Sequence, residues 1–527
     1  MKLNKAADRT VYVLGLLLFG ALAGVSLFTT VYFRTTYEEI PYQTGDILPL
    51  VLVCCAFAAW LMYQAAGWIL KDAQKQEKRL RILLGAVLCW VLAFTAWWVF
   101  AAKCIPVGDQ ASVCKSAEGF LAGDYSMLTK DSYERYLYIH PHQLGLTALI
   151  EMVFALFGSG NHMAFQFLNC VGAALCVYSG YRITRLLTTD KRAYVYYLLL
   201  AAACFPLFFY VTFVYGEIPS LTFSLLAAWC FLEYRKKGGW LWLAACCAAC
   251  ALACLIRSNS LILLIAFVLV LLVTALGERK LCPLLASALL LVVFLGGRLC
   301  LWTVYEQRSG EQINDGAPML LYVAMGMQKG EGAPGWSNGY ILHNYWGESD
   351  FDSEASTAMA VRDIETSMEG FAEDPWYAAR FYTEKFTSQW NDPTYECFAM
   401  THINGSARGP VANSMFDGKL HTLMTWFMNE YQSLVFIGVF LWLLLGFWKK
   451  KGLEDQVLVI TVFGGFLFHM LWEAKGRYIL PYFVMMLPMA AAGLSQLTAR
   501  AAAWARTKAW AGKISGKSLS QDGGNEE

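Results

Sequence analysis

Apolar runs of about 20 residues, the length a helix needs to cross a bilayer core of roughly 30 Å, recur along the chain between short charged turns. About 12 segments fit this pattern: Val11–Phe33, Ile47–Leu70, Leu83–Ala102, Met163–Leu187, Tyr194–Val214, Pro219–Glu233, Trp240–Leu255, Leu261–Leu276, Leu281–Val304, Leu434–Trp448, Val457–Trp472 and Ile479–Leu497. The predicted fold class is therefore all-α, a polytopic transmembrane helical bundle. Gln143–Phe157 departs from the pattern. It is apolar over only about 15 residues, short for a span, and holds Glu151. The stretch from Tyr305 to Gln432 also departs, with Gly- and Pro-rich (Gly330–Trp346) and acidic (Glu348–Glu373) segments. Such a length is unusual for a simple connector and predicts an outer-face loop domain.

Charge decides the sidedness. If Gln143–Phe157 spans, the basic stretch Arg182–Arg192 falls outside. If it lies at the outer interface, every basic loop falls inside: Lys71–Arg81, Arg182–Arg192, Arg235-Lys236-Lys237, Arg279-Lys280, Lys449-Lys450-Lys451 and the tail from Arg500 to Lys517. The positive-inside rule selects the second arrangement, with both termini cytoplasmic. Met1–Arg9 is basic and precedes a run too long for a signal-peptide core, so an uncleaved first helix is expected. The expected organisation is two accessory N-terminal helices (1–80), a membrane core (81–304) with a first outer loop at 103–162, the outer-face loop domain (305–432), C-terminal spans (433–498) and a cytoplasmic tail (499–527).

Composition agrees. The chain is 57% hydrophobic and 15% charged, against roughly 25% charged in soluble domains. The net charge of +1 says little, because the charges are segregated by side. No basic stripe with interleaved aromatics points to nucleic acid. The 16 cysteines lie mostly inside apolar runs, where they act as small hydrophobes. Cys104 and Cys114 flank Asp109 and would pair only in an oxidising compartment.

Four polar sites fall on the predicted outer face. Asp109 follows the run Leu83–Ala102, and a carboxylate so close to a helix mouth is a functional candidate by default. It can serve as a general base, or as the N-cap of Ala111–Leu121. Asp124, in Gly123-Asp124-Tyr125, reads first as a turn residue. His140 and His142 flank Pro141 and precede Gln143. They could hold a metal, but no further ligands stand at recognisable spacing. No metal-ligating set is assigned and a divalent metal is left open; a hydrogen-bonding or phosphate-facing role is favoured. Glu217 ends a span near Pro219. Arg257, in the hairpin with Ser258-Asn259, needs an anion, for which a lipid phosphate is available. Glu473, Lys475, Arg477 and Tyr478 cluster between two apolar runs, as a site for phosphate or pyrophosphate would; snorkelling anchors beside an aromatic belt residue are the alternative. His469 reads as a core histidine. Asn404-Gly405-Ser406 matches a glycosylation sequon and is attributed to chance.

The ordered set resembles the GT-C superfamily of integral-membrane glycosyltransferases, in the branch of the protein O-mannosyltransferases and the lipid A aminoarabinose transferases. The motifs run Gly108-Asp109-Gln110, Ala117-Glu118-Gly119, Gly123-Asp124-Tyr125, His140-Pro141-His142-Gln143, Leu156-Phe157-Gly158, Tyr181-Arg182, Asp190-Lys191-Arg192, Glu217 before Pro219, and Ala474-Lys475-Gly476-Arg477-Tyr478 before Pro481. The resemblance spans Leu83 to Leu497. Gln110 stands where the mannosyltransferases often carry a second acid. The resemblance implies sugar transfer from a polyprenyl-phosphate donor (undecaprenyl or dolichyl phosphate) at the outer face, with inversion. Asp109 would be the base, with Glu217 as second acid. His140, Arg257, Lys475 and Arg477 would hold the donor phosphate, and Asp124, His142, Gln143, Glu473 and Tyr478 would serve the acceptor or secondary positions. The prenyl tail would lie in a groove between spans. The acceptor stays open among protein, lipid and cell-wall polymer. The expected location is a bacterial plasma membrane, multi-pass, with the site facing outside. The rival reading is a lipid-linked sugar transporter or flippase without catalysis. A transporter would place its polar groups near the bilayer midplane, with repeats between its halves; no such repeat is seen.

Overall fold

Each apolar run is built on a helix in the computed structural model, which describes residues 2–34, 40–330, 332–400, 408–446 and 452–519. Helix α1 (Lys2–Phe28) is followed by an antiparallel ribbon, β1 (Thr29–Tyr32) with β2 (Tyr42–Gly45), in which Thr29 faces Gly45 and Tyr32 faces Tyr42. Then come α2 (Leu48–Ile69), α3 (Gln76–Ala102), α4 (Asp109–Ala122), α5 (Tyr136–Ile139) and α6 (Leu144–Phe157). The bundle continues through α7 (His162–Leu187), α8 (Lys191–Ala202), α9 (Phe205–Phe209), α10 (Glu217–Lys237), α11 (Trp240–Ile256), α12 (Leu261–Glu278) and α13 (Leu281–Ser309). The loop segment holds α14 (Met319–Gly326), α15 (Ser353–Glu373), α16 (Pro375–Trp390), α17 (Cys397–Met400) and α18 (Pro410–Asp417), and α19 (Lys419–Gly446), α20 (Val457–Leu471) and α21 (Leu480–Leu519) follow. The fold is all-α, a membrane helical bundle.

Among the described residues, nine helices are long and apolar enough to cross a membrane, or ten if the segments Lys191–Ala202 and Phe205–Thr212, bent by 45°, form one span. The expected count of about 12 is not reached by this measure. Helix α11 has only 17 residues, and α10 carries Glu217, Glu233 and a basic last turn. The bend follows Cys204 and has Pro206 in the first turn of α9, where a proline lacks the donor that would continue the preceding helix.

Helix α21 is the central post, with 83% of its apolar window buried, and α19 follows with 67%. They pack along one another, and α1 lies against α19 and α12. Helices α2 and α13 bury only 17% of theirs. On α13, Leu285, Val292, Leu295 and Leu299 are exposed, as lipid-facing side chains are on a perimeter span.

Helix α10 separates two polar ends of the bundle. Glu217 and Glu233 lie about 24 Å apart by helical rise. At the Glu233 end the predicted inner loops pair with acids: Arg182 and Lys237 reach Glu233 at 3.2 and 2.6 Å, and Arg185 and Lys191 reach Glu77 at 3.4 and 3.1 Å. Lys236 meets Asp455 at 2.8 Å. Lys449-Lys450-Lys451 and Asn404-Gly405-Ser406 lie outside the described residues. The four predicted outer turns all gather at the Glu217 end. Helix α7 connects the two ends, with Ser159 just before it and Thr189 just after, both exposed. With the Glu217 end outside, Ser159→Cys in intact cells is expected to react with a membrane-impermeant maleimide and Thr189→Cys to be protected. The reverse labelling pattern would overturn the assignment of sides.

The stretch predicted as a soluble loop is shorter than its polar composition suggested. Helix α13 runs on to Ser309, and α19 begins at Lys419 rather than Leu434. The segment between them is largely helical. The Asp352 side chain caps α15 by accepting from the Glu354 and Ala355 amides at 2.8 and 3.0 Å. The Asp374 side chain caps α16 by accepting from the Tyr377 amide at 2.9 Å, with Pro375 in the first turn. A small core of Leu321, Ala324, Met325, Tyr345 and Ala360 also takes in Ile139, which fixes this segment against the His140 stretch. The 16 cysteines are all free, so Cys104 and Cys114, both buried, do not pair.

Candidate active site

Four turns distant in sequence converge at the Glu217 end. Helix α4 begins at Asp109 itself, its N-cap position is Gly108, and no side chain caps it. The capping reading of Asp109 is thereby replaced: the carboxylate is 48% exposed and faces the Arg477 guanidinium at 3.8 Å. That separation is an ion pair without a hydrogen bond. As a first-turn acid, Asp109 also interacts favourably with the helix dipole.

Arg257 ends α11 and Glu217 starts α10. They form a buried ion pair at 2.8 Å, with side-chain exposures of 9% and 1%. Among the described residues, no hydrogen bond reaches either Glu217 oxygen, so the carboxylate is held by this guanidinium and by the charge of nearby Arg477. The two arginines share two rings. Arg257 lies 5.6 and 5.5 Å from the ring centres of Tyr215 and Tyr478, and Arg477 lies 5.9 and 5.2 Å from the same pair. Cation–π contact thus holds two like charges close together on a shared aromatic spacer. Tyr478 donates to Glu473 at 3.0 Å. The Lys475 ammonium lies over the Trp336 ring at 6.0 Å.

The Tyr136 and Tyr215 hydroxyls are hydrogen-bonded at 2.9 Å, and the Tyr136 ring packs on His140. His140 Nδ1 is 3.2 Å from the Tyr322 hydroxyl, and its ring meets His142 edge-on at 5.7 Å. His140 is half-buried and His142 exposed; desolvation among the packed side chains lowers the His140 imidazole against the pull of Asp109, and lowers that of His142 with His140 and Arg257 adding to the effect. Gln143 is buried beside them. Among the described residues, no group of three or more His, Cys, Asp or Glu side chains gathers as a metal set.

Asp124 is not brought to this cluster. It stands beyond the far end of α4, about 20 Å from Asp109 by helical rise, and accepts from the Ser126 amide at 2.9 Å. That turn bond lowers its carboxyl below the ordinary value. Glu151, on the short α6, forms a two-pronged ion pair with Arg308 at the end of α13, at 2.5 and 3.2 Å, and also accepts from Tyr305. This bridge anchors the helix that follows His140.

Sequence reading missed the acids of the segment Asn391–Glu396. Asp392 is fully buried and accepts from the Thr394 amide and hydroxyl at 2.8 and 2.7 Å and from the Glu396 amide at 2.8 Å. Burial pushes its carboxyl up to about 6, against these hydrogen bonds. Tyr395 and Glu396 adopt positive φ of 49° and 60°, which is costly for residues with a side chain. The strained turn turns Glu396 toward the site, where it accepts from the Arg477 amide at 3.2 Å. Gly476 permits this approach: a Cβ there would stand 2.7 Å from Asp392 Oδ2 and 3.2 Å from Glu396 Oε1. The sequence signal was present in Asp392-Pro393-Thr394, a turn signature, but nothing in it points across 80 residues to Gly476. Lys385 was also missed. It is fully buried, donates to the carbonyls of Gly326 and Trp472 at 2.5 and 2.8 Å, and is pushed down to about 7 by burial. It ties α14 and α16 to the turn that carries Glu473.

Beside Arg257 and Tyr478 lies a small pocket of about 20 Å³, bounded by Leu221, Leu263, Pro481 and Met485 with Tyr482, Ser260 and Thr461. It lies between α10, α12, α20 and α21 and mixes polar side chains (Arg257, Asn259, Ser220) with apolar ones. A buried arginine among such side chains suits an anionic head group.

Residues 140–297 match the family model "Dolichyl-phosphate-mannose-protein mannosyltransferase". No curated protein matches the sequence. Among solved structures, the chain is similar to the Archaeoglobus fulgidus oligosaccharyltransferase tethered to an acceptor peptide, at 15% identity and a TM-score of 0.43, covering 81% of this chain and 51% of that one. It is similar to AglB from the same organism in complex with an inhibitory peptide and a dolichol-phosphate, at 13% identity, a TM-score of 0.43 and the same coverage. It is also similar to ArnT from Cupriavidus metallidurans bound to undecaprenyl phosphate, at 14% identity and a TM-score of 0.30, covering 78% and 77%. The chain spans about half the length of the two archaeal proteins. The resemblance to the GT-C membrane glycosyltransferases, read first from the ordered motifs, is borne out by the family match.

Proposed function

We propose that this integral membrane protein transfers a sugar from a polyprenyl-phosphate donor to an acceptor at the outer face of a bacterial plasma membrane, with inversion. The observation that carries the reading is the meeting of a half-exposed carboxylate, Asp109, with the buried Arg477, which shares the Tyr215 and Tyr478 rings with Arg257, itself a lining residue of the pocket. The phosphate sits among Arg257, Arg477 and Lys475, and the prenyl chain runs into the lipid along the helices that bound the pocket. Asp109 takes the proton from an acceptor hydroxyl. The acceptor oxygen attacks the anomeric carbon as the bond from that carbon to the phosphate oxygen breaks. The electron pair leaves on the phosphate, whose growing charge the cations stabilise. Glu217 holds Arg257 in place, and the neutral His140 and His142 offer hydrogen bonds without adding charge.

The test is direct. Purified protein is incubated with a panel of polyprenyl-phosphate sugars and the free carrier phosphate released is measured, with and without candidate acceptors. At least one donor is expected to give acceptor-dependent release. Binding of donors with no release from any, together with their movement across a vesicle membrane, would replace the enzyme by a lipid-linked sugar transporter.

A further inference from the structure

The pocket beside Arg257 contains several hydroxyl groups, and most are already committed within the protein. Ser220 donates to the Glu217 carbonyl at 3.3 Å, Thr461 to the Val457 carbonyl at 2.8 Å, and Ser224 to Ser260 at 3.3 Å. Tyr478 donates to Glu473. Tyr482 differs. It is 3% exposed, lines the same pocket, and among the described residues its hydroxyl has no hydrogen-bond partner.

Its ring is held firmly. It stacks on Trp390 with centroids 6.0 Å apart at 26°, and meets His469 edge-on at 6.0 Å. Its outer end lies across α20 at Gly465, where a Cβ would stand 2.4 Å from Tyr482 Cζ. That glycine leaves room for the end of the ring that carries the hydroxyl. A buried hydroxyl without a partner costs stability, and phenylalanine would fill the same space without that cost. A polar group held at such cost beside a buried arginine marks a place where a ligand supplies the missing acceptor.

We propose that the Tyr482 hydroxyl donates a hydrogen bond to a phosphoryl oxygen of the carrier lipid, next to Arg257, so that the pocket distinguishes a polyprenyl phosphate from the free polyprenol. This rests on the donor reading above and extends it to a residue inside the apolar run. The hydroxyl acts on the ground-state carrier and on the departing phosphate alike, so it contributes to affinity rather than to the chemical step.

Tyr482→Phe removes one oxygen atom and keeps the packing. Binding of undecaprenyl phosphate and of undecaprenol to the full-length protein in detergent is followed by intrinsic tryptophan fluorescence, alongside the thermal midpoint without ligand. The variant is expected to bind undecaprenyl phosphate about tenfold more weakly, as loss of one hydrogen bond to a charged group predicts. Undecaprenol should bind both proteins equally, and the midpoint should stay the same or rise. Equal affinity of variant and parent for the phosphate would overturn the proposal. Equal weakening toward both lipids, or a lowered midpoint, would also overturn it and make Tyr482 a packing residue. A parent protein that binds no undecaprenyl phosphate would instead remove the donor reading on which the proposal stands.

Discussion

Asp109→Asn is expected to abolish sugar transfer while leaving expression, membrane insertion and carrier binding intact. A positioned general base contributes roughly 10²–10⁴-fold to rate, and asparagine keeps the size of the side chain but cannot take the proton. The change should cost little stability. Asp109 is half exposed, and its contact with Arg477 is an ion pair at 3.8 Å, worth at most about 1 kcal/mol in such a setting. Helix α4 has no side-chain cap to lose. The measurement is release of carrier phosphate under saturating donor, with the thermal midpoint as control. Transfer at the parental rate would remove Asp109 from the mechanism. A low rate with a lowered midpoint would point to loss of structure instead.

The parts of this molecule that were legible in its sequence share one physical cause. A helix in lipid must be apolar on every side, so the spans announce themselves. A charge at the edge of such a run is expensive, so Asp109, Glu217, Arg257 and Arg477 also stand out. What was hidden depends on contacts between distant segments. The Asn391–Glu396 turn matters because Gly476 lets it come close, and no local pattern states that. Lys385 looks like an ordinary helical lysine until its carbonyl partners at Gly326 and Trp472 are seen. Tyr482 sits in an apolar run and reads as core. Helix α19 starts early because Lys419–Ser433 is too polar to look like a span yet continues the same helix. The capping alternative for Asp109 failed by a single residue of register, since the helix starts at the acid rather than after it.

Arg257→Gln should have the largest effect on stability of any single change at this site, and its rescue separates structure from function. The substitution leaves Glu217 buried without its only ion-pair partner among the described residues. Breaking a buried pair in this way typically costs up to about 3–5 kcal/mol, a cost that the charge of nearby Arg477 reduces. The paired variant Glu217→Gln with Arg257→Gln removes both charges, and neutral amides of similar size can bond to one another. Most of the lost stability should therefore return, read as the thermal midpoint of the purified protein. Carrier binding should not return. A hydrogen bond to a charged group contributes about 1.5–3 kcal/mol, so undecaprenyl phosphate should bind the paired variant at least about tenfold more weakly than the parent. Glu217→Gln alone also leaves a buried charge unpaired, and should cost less stability than Arg257→Gln because Arg257 keeps its contacts with Tyr215 and Tyr478. If the paired variant regained both stability and parental affinity, Arg257 would be a structural partner of Glu217 only, and the phosphate would have to be held by Arg477 and Lys475.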